Sequence, residues 1–249
     1  RLRIDLKHAR PPIWRRIEIR SDVNLLTLHN VIQAAFGWFN YHLYRFSLGA
    51  GPFDWSSELF LCDYDAEEGD EEGTHVSAVR LDETLQEPGD VLQYLYDYGD
   101  SWLLAIKLES ARPAEPDDPT ARCVGGRRAA PPEDCGGYVD EAMLASVLPD
   151  PALFELDVTN EAIEAWLATP AGFAPASLLS DGDREEQSLL LRFPQFKEIL
   201  DSYYYPDPAR GEILDRLRTL KASEESEDSS RARDEAELRD VFGAVLYTL

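Results

Sequence analysis

Positive charge is what this sequence has least of: 24 Lys and Arg face 48 Asp and Glu, a net charge of −24 over 249 residues. Nucleic acids are held chiefly by Lys and Arg that neutralise phosphates, so this balance argues against broad nucleic-acid binding. Only residues 1–20 are locally basic, with Arg1, Arg3, Lys7, Arg10, Arg15, Arg16 and Arg20 against Asp5 and Glu18. Cysteine is scarce as well. Cys62, Cys123 and Cys135 are odd in number and make no even disulfide framework, and a chain of this size does not need one, so a reducing compartment is expected. No apolar run approaches the roughly 18 residues of a membrane span, and residues 1–20 alternate where a signal peptide would be continuous. These absences point to a soluble, cytoplasmic protein without membrane contact.

Familiar catalytic signatures are missing too. There is no G-x-S-x-G elbow, phosphate loop or dinucleotide fingerprint, and no H-x-x-x-H pair. Cys123 and Cys135 lack the C-x-x-C spacing of a zinc knuckle; packing, a redox-active pair and zinc all stay open for them. The acidic stretch 63–72 has no calcium-loop offsets and reads as a self-repelling, solvated loop. No cofactor is evident, although a divalent metal is compatible with the acidic and histidine residues considered below.

What is present is an ordinary globular composition, 44% hydrophobic and 10% aromatic. Leu2, Ile4 and Leu6 alternate with polar residues as a half-buried strand, and a second alternation follows Pro11-Pro12, with Ile13, Ile17 and Ile19 on one face. From Thr27 the period changes: Leu28, Val31, Ile32, Ala35 and Phe36 share one face of a helix that Gly37 stops. Strands are expected over 42–48, 58–62 and 76–81, then a hairpin over 90–108, and a Pro- and Arg-rich loop over 111–134. Beyond it, helices are expected over 139–148, 160–168, 184–200, 208–220 and 234–246. Early strands and late helices indicate an α+β fold: a mixed, mainly antiparallel sheet with a long helix packed on it, followed by a helical C-terminal region. The expected domains are 1–145, a helical extension 146–221, an acidic Ser-rich linker 222–233 and a terminal helix 234–249.

The stretch Tyr94 to Trp102 concentrates four aromatics and two carboxylates around Gly99. Period-2 alternation on both sides makes it a hairpin turn. Asp97 and Asp100 then have two roles open: accepting backbone hydrogen bonds within the turn, with Gly99 supplying the permissive backbone, or acting as paired carboxylates on a metal or in acid–base work. Trp102 and the tyrosines fit a core role better than a base-stacking platform. His29 and His42, on the helix and the strand after it, meet if that strand packs back, and with Asp97, Asp100, Glu133 or Asp134 they would form a His/carboxylate metal set. Trp38 lies between them in sequence. The run Pro132-Glu133-Asp134-Cys135-Gly136-Gly137 either fixes a binding loop or caps the helix that follows.

Four motifs occur here in order: Pro11-Pro12-Ile13-Trp14-Arg15-Arg16; Leu28-His29-x-Val31-Ile32-Gln33-x-Ala35-Phe36-Gly37-Trp38 with His42-Leu43 and Phe46; Tyr96-Asp97-Tyr98-Gly99-Asp100-x-Trp102; and Cys123-x-x-Gly126-x-Arg128-x-x-Pro131 through Gly137. Together they resemble the plasmid pRiA4b ORF-3-like family, also met as the passenger protein called TnpR of IS1096-type insertion elements. The resemblance covers about residues 1–140. It implies a mixed sheet with a long helix on it and association with mobile genetic elements, but no activity; nothing here resembles a serine recombinase. The first functional expectation is therefore a non-enzymatic accessory module that contacts a protein partner. The alternative is a metal-dependent hydrolase or nuclease-like enzyme built on the His/Asp/Glu residues. A third is nucleic-acid binding through Arg10, Arg15 and Arg16, which the net charge disfavours.

Overall fold

The alternating N-terminal segments form an antiparallel pair. Strands β1 (Leu2–Leu6) and β2 (Trp14–Ile19) place Leu2 opposite Ile17 and Asp5 opposite Trp14, and Leu2, Ile4, Leu6, Ile13 and Ile17 are buried. The structure is a computed structural model that describes residues 1–68 and 72–169, with residues 175, 214, 215, 217–219 and 221. Helix α1 (Leu25–Phe36) starts two residues before the periodic run, because Asn24 Oδ1 accepts the Thr27 N–H at 2.9 Å and caps it. Gly37 ends it in the left-handed region at φ 73°. Then come β3 (Tyr44–Leu48), β4 (Glu58–Leu61), α2 (Asp63–Glu68), β5 (Thr74–His75), a 3₁₀ turn at Val76–Ala78, α3 (Leu81–Thr84), β6 (Val91–Tyr96), β7 (Trp102–Leu108), β8 (Ala121–Arg127), α4 (Glu141–Val147) and α5 (Leu156–Leu167). The fold is α+β. Among the described residues one sheet runs β5-β4-β3-β6-β7-β1-β2-β8, antiparallel throughout except between β4 and β5.

Local chemistry overturns three expectations. The acidic stretch is not wholly a loop: Asp63–Glu68 is helical, and Asp65 leaves solvent to pair with Arg45 at 2.8 Å. The strand expected over 76–81 is replaced by turns, because side chains bond the neighbouring backbone. His75 Nδ1 accepts from Ser77 N at 3.2 Å, and Glu83 Oε2 accepts from Arg80 N at 2.7 Å. Finally, the loop expected over 111–134 contains strand β8. Its glycines hid it, yet Gly126 is where Phe154 packs: a Cβ there would sit 2.5 Å from that ring. β8 is an edge strand, and Asn160 of α5 covers it, accepting from Cys123 N at 2.8 Å and donating to Cys123 O at 3.1 Å.

The sheet buries Tyr94, Tyr96, Trp102, Leu104 and Ile106 against α1. That helix is buried on nearly every side, since α5 packs over it and over β8 with Ile163 and Trp166 fully buried. Each large apolar side chain so enclosed contributes about 1.5–3 kcal/mol. The chain divides into two units, Arg1–Pro175 and Ala176–Leu249. In the second, Leu214, Asp215, Leu217, Arg218 and Thr219 are helical and fall within the helix expected over 208–220. The helices expected over 184–200 and 234–246 and the linker 222–233 lie outside the described residues. Among the described residues no helix is long and apolar enough to cross a membrane.

Arg15 is part of this core. It is 4% exposed, and its Nε donates to Ala35 O, in the last turn of α1, at 2.7 Å while Nη1 donates to Trp14 O at 2.9 Å. Its guanidinium lies over the rings of Phe36 and Phe154. Burial lowers its pKa to about 10, which leaves it charged at neutral pH, and a cation on C-terminal carbonyls is favoured by the helix dipole. Arg15→Met removes these bonds while keeping much of the volume. It should cost about 2 kcal/mol, read as a lower urea midpoint with an unchanged m-value; a midpoint within error of the wild type would show the guanidinium to be dispensable.

Candidate functional site

The segment between α1 and β3 carries His42, and several of its backbone amides are taken by groups of α1, β6 and the 132–137 loop. Trp38 N–H returns to Gln33 O at 3.0 Å. Phe39 N–H donates to Glu133 Oε2 at 3.0 Å, Asn40 N–H to Gln33 Oε1 at 2.8 Å, and Tyr41 N–H to Tyr96 OH at 3.0 Å. Trp38 itself is buried, stacked on Phe36, Tyr96 and Trp102, with its indole N–H on Pro131 O at 2.9 Å. Asn40 adopts φ 61°, a conformation asparagine tolerates better than most residues. These bonds hold His42 edge-on to Tyr96, ring centroids 5.7 Å apart.

Across from it stands the β6–β7 turn. Asp97 is 3% exposed and Asp97 Oδ1 accepts from Gly99 N at 3.0 Å and Asp100 N at 3.2 Å. The left-handed residues of this turn are Asp97 and Ser101, both at φ 57°, and not Gly99 as the sequence led us to expect. The reason is that the Asp97 carboxylate bonds the turn's own amides, which offsets the cost of its backbone. The turn is pinned on both flanks. Arg45 Nε donates to Tyr98 OH at 2.8 Å and Tyr98 donates to Asp65, while Asp100 Oδ2 accepts from Gly136 N at 2.9 Å. The loop carrying Gly136 comes so near that a Cβ on Gly137 would lie 2.0 Å from Asp100 O. Only glycine permits that approach.

Three donors converge in this gap. His42 Nε2 lies 3.5 Å from Asp97 Oδ2 and 3.2 Å from Asp134 Oδ1, and one ligand atom from each lies within 4.8 Å of the other two. His42 and Asp97 are largely buried, whereas the Asp134 side chain is 73% exposed, so the cluster opens to solvent on one side. Asp134, like Asp97, is left-handed, at φ 56°. Glu133 is not in the cluster; it accepts from Tyr96 OH and Phe39 N beneath it. Burial pushes its carboxyl, and the Tyr96 hydroxyl, up from their ordinary values.

The other candidates have local roles. His29 is fully buried, stacked on Tyr44 at 3.6 Å, with ring nitrogens 2.8 Å from Tyr94 OH and from Asn40 Oδ1. Asp100 serves the Gly136 amide. Trp102 is 1% exposed. Of the arginines considered for nucleic acid, Arg15 is corrected to a core residue, and Arg16 is held in a fork by Glu109 at 2.7 and 2.8 Å. Arg10 is exposed beside the cis Arg10–Pro11 bond. Cys62, Cys123 and Cys135 are free thiols; Cys123 and Cys135 donate to Gly125 O and Pro132 O. Sequence reasoning missed Gln33, Asn40 and Tyr96 as supports. Gln33 sits four residues from His29, the helical offset that places both under the same loop.

A carboxyl raised by burial holds its proton more tightly in the folded state, so its contribution to stability is greatest at low pH and is lost as pH rises through the folded value. For Glu133 that window opens near the ordinary value of about 4.3. Glu133→Gln keeps an acceptor for Phe39 N but has no charge to bury. Relative to wild type, its stability should improve as pH rises above about 4.3 and level off once the folded carboxyl has ionised, read in urea titrations; a difference independent of pH would contradict the buried, raised carboxyl.

Residues 1–180 match the family described as plasmid pRiA4b ORF-3-like protein. The chain is 34% identical over 154 residues to an uncharacterized protein, y4hQ, of Sinorhizobium fredii, covering 61% of this chain and 74% of that one. It is also similar to the crystal structure of a protein of unknown function, MM3350, from Methanosarcina mazei Go1. That similarity has 27% identity and a TM-score of 0.52, over 63% of this chain and 93% of the other. The four motifs, the sheet with α1 laid on it and the family match over the whole of the first unit agree: the chain belongs to the plasmid pRiA4b ORF-3-like family.

Proposed function

We propose that this protein is a metal-dependent hydrolase whose divalent ion is held by His42, Asp97 and Asp134. The observation that carries the reading is the convergence of those three donors, from three separate segments, within 4.8 Å of one another. One ion bound at about 2.0–2.2 Å from each donor spans such a set after a small closure. Two of the three residues are held in left-handed backbone, a cost that clusters at functional sites. Three protein ligands with an open side are the pattern of a catalytic rather than a structural ion. A divalent cation supplies Lewis acidity and lowers the pKa of bound water. This chain's residues do the rest. Asp97 Oδ1 is occupied by turn amides, which presents Oδ2 alone; Glu133 and Tyr96 hold the His42 loop; exposed Asp134 leaves room for substrate and water. A nuclease-like version of this chemistry is disfavoured by the net charge.

A second reading, a non-enzymatic accessory module that grips a protein partner, is favoured by exposed aromatics: Trp55 is 96% exposed, Tyr138 70% and Phe53 61%. Under either reading we place the protein in the cytoplasm, supported by its free thiols, and among mobile-element accessory proteins, supported by the plasmid in the family's description.

Calorimetric titration of the chelator-treated protein with Mn²⁺ and Zn²⁺ separates the two. One equivalent should bind, His42→Ala and Asp97→Asn should each weaken it at least about tenfold, and Asp100→Asn should bind as wild type does. No binding at millimolar ion, or binding indifferent to His42→Ala, sinks the enzyme reading and leaves the accessory module.

A further inference from the structure

Far from the cluster, where β7 ends at Leu108, a recess of about 520 Å³ lies within the 300–1,000 Å³ range of small-molecule sites. Its floor is apolar. Leu2 of β1, Ile19 of β2, Leu108 of β7, and Leu81 and Leu85 at α3 line it, and the four leucines are at most 7% exposed. Its mouth is cationic, which is unusual in a chain of net charge −24. The guanidinium groups of Arg1, Arg20, Arg112 and Arg122 stand around it.

Pairing shows where charge is left over. Arg20 is matched by Asp22, Arg112 by Asp118, and Asp82 by Arg80, one to one. Glu18 instead serves two cations, Arg1 at 2.9 Å and Arg122 at 2.6 Å. Each of the two spends Nε and Nη2 on Glu18, leaving Nη1 for another acceptor. Both side chains are nearly half exposed, at 46% and 47%. One uncompensated positive charge with spare donors thus sits at the rim of an apolar recess. Guanidinium forks match a carboxylate in geometry and charge, and leucine floors favour a ligand with an apolar body.

We propose that this recess binds an amphipathic monoanion, a carboxylate at the Arg1/Arg122 edge with its apolar body on the leucine floor. The site is independent of the His42 cluster, so its failure leaves the metal reading untouched.

The test is titration calorimetry on the full chain with octanoate, acetate, octanol and octyl phosphate. Octanoate should bind one to one and at least about tenfold more tightly than acetate, which lacks the body, or octanol, which lacks the charge. Arg122→Met should weaken octanoate about tenfold. Ala114→Trp, at an exposed rim position, should block it with no change in the thermal melt, and it decides the matter if Arg122→Met misfolds. Absence of octanoate binding, equal affinity for octanol or acetate, or indifference to both variants overturns the proposal. Tighter binding of octyl phosphate overturns the carboxylate class.

Discussion

The hydroxyl of Tyr94 is fully buried beneath α1, and much of the candidate site follows from how it is satisfied. Gln33 Nε2 donates to it at 3.0 Å, and its own proton has His29 Nδ1 as an acceptor 2.8 Å away. Burial raises the Tyr94 pKa, which keeps that proton in place. Asn40 Oδ1 only accepts, so His29 donates to it from Nε2 at 2.8 Å, which in a neutral ring leaves Nδ1 to accept from Tyr94. The other end of Gln33 accepts from Asn40 N. Every group in this chain of bonds has one consistent orientation, and in a low-dielectric interior such a network tolerates few alternatives. It is the polar face of an otherwise apolar helix that places the loop, and the loop that places His42.

A second constraint comes from the turn and the 132–137 loop pressing together. Asp97, Asn40 and Asp134 all occupy left-handed backbone, each in a segment bordering the cluster. Individually such conformations cost about 1–3 kcal/mol. They persist because surrounding hydrogen bonds over-determine them: Asp97 by its own turn, Asn40 by Gln33 and His29, and the 132–137 loop by the Asp100–Gly136 contact and the Trp38 indole on Pro131. Rigid positioning of this sort is what the proposed metal site requires.

The sheet separates two chemistries. At one end of β6 and β7 lie carboxylates and a histidine, anionic and open; at the other, leucines under an arginine rim. Between them runs an aromatic and aliphatic core that excludes water. The two edges of the sheet are protected differently, β8 by Asn160 of α5 and β5 by being only two residues long, both means of preventing edge pairing with other chains.

Alternation and helical period are local properties, set by where successive Cβ atoms point. They were enough to read β1, β2, α1, β3 and the β6–β7 hairpin, the α+β class, and the family from its motifs. They failed where tertiary contacts rule. β8 carries Gly126 where Phe154 packs against it, and 76–81 is turned because His75 and Glu83 bond its backbone. Most residues of the candidate site were legible as candidates, and so was a His/carboxylate set drawn from them; which of them come together was not. His29 and His42 look equivalent in sequence, yet one is locked under Tyr94 and the other faces two aspartates. Asp97 joins the cluster while Asp100, three residues on, serves a glycine amide, and Arg15 turns from a surface cation into a core residue on α1. Side-chain identity is written in the chain, but distance between segments far apart in sequence is decided only when the sheet, α1 and the 132–137 loop close on one another.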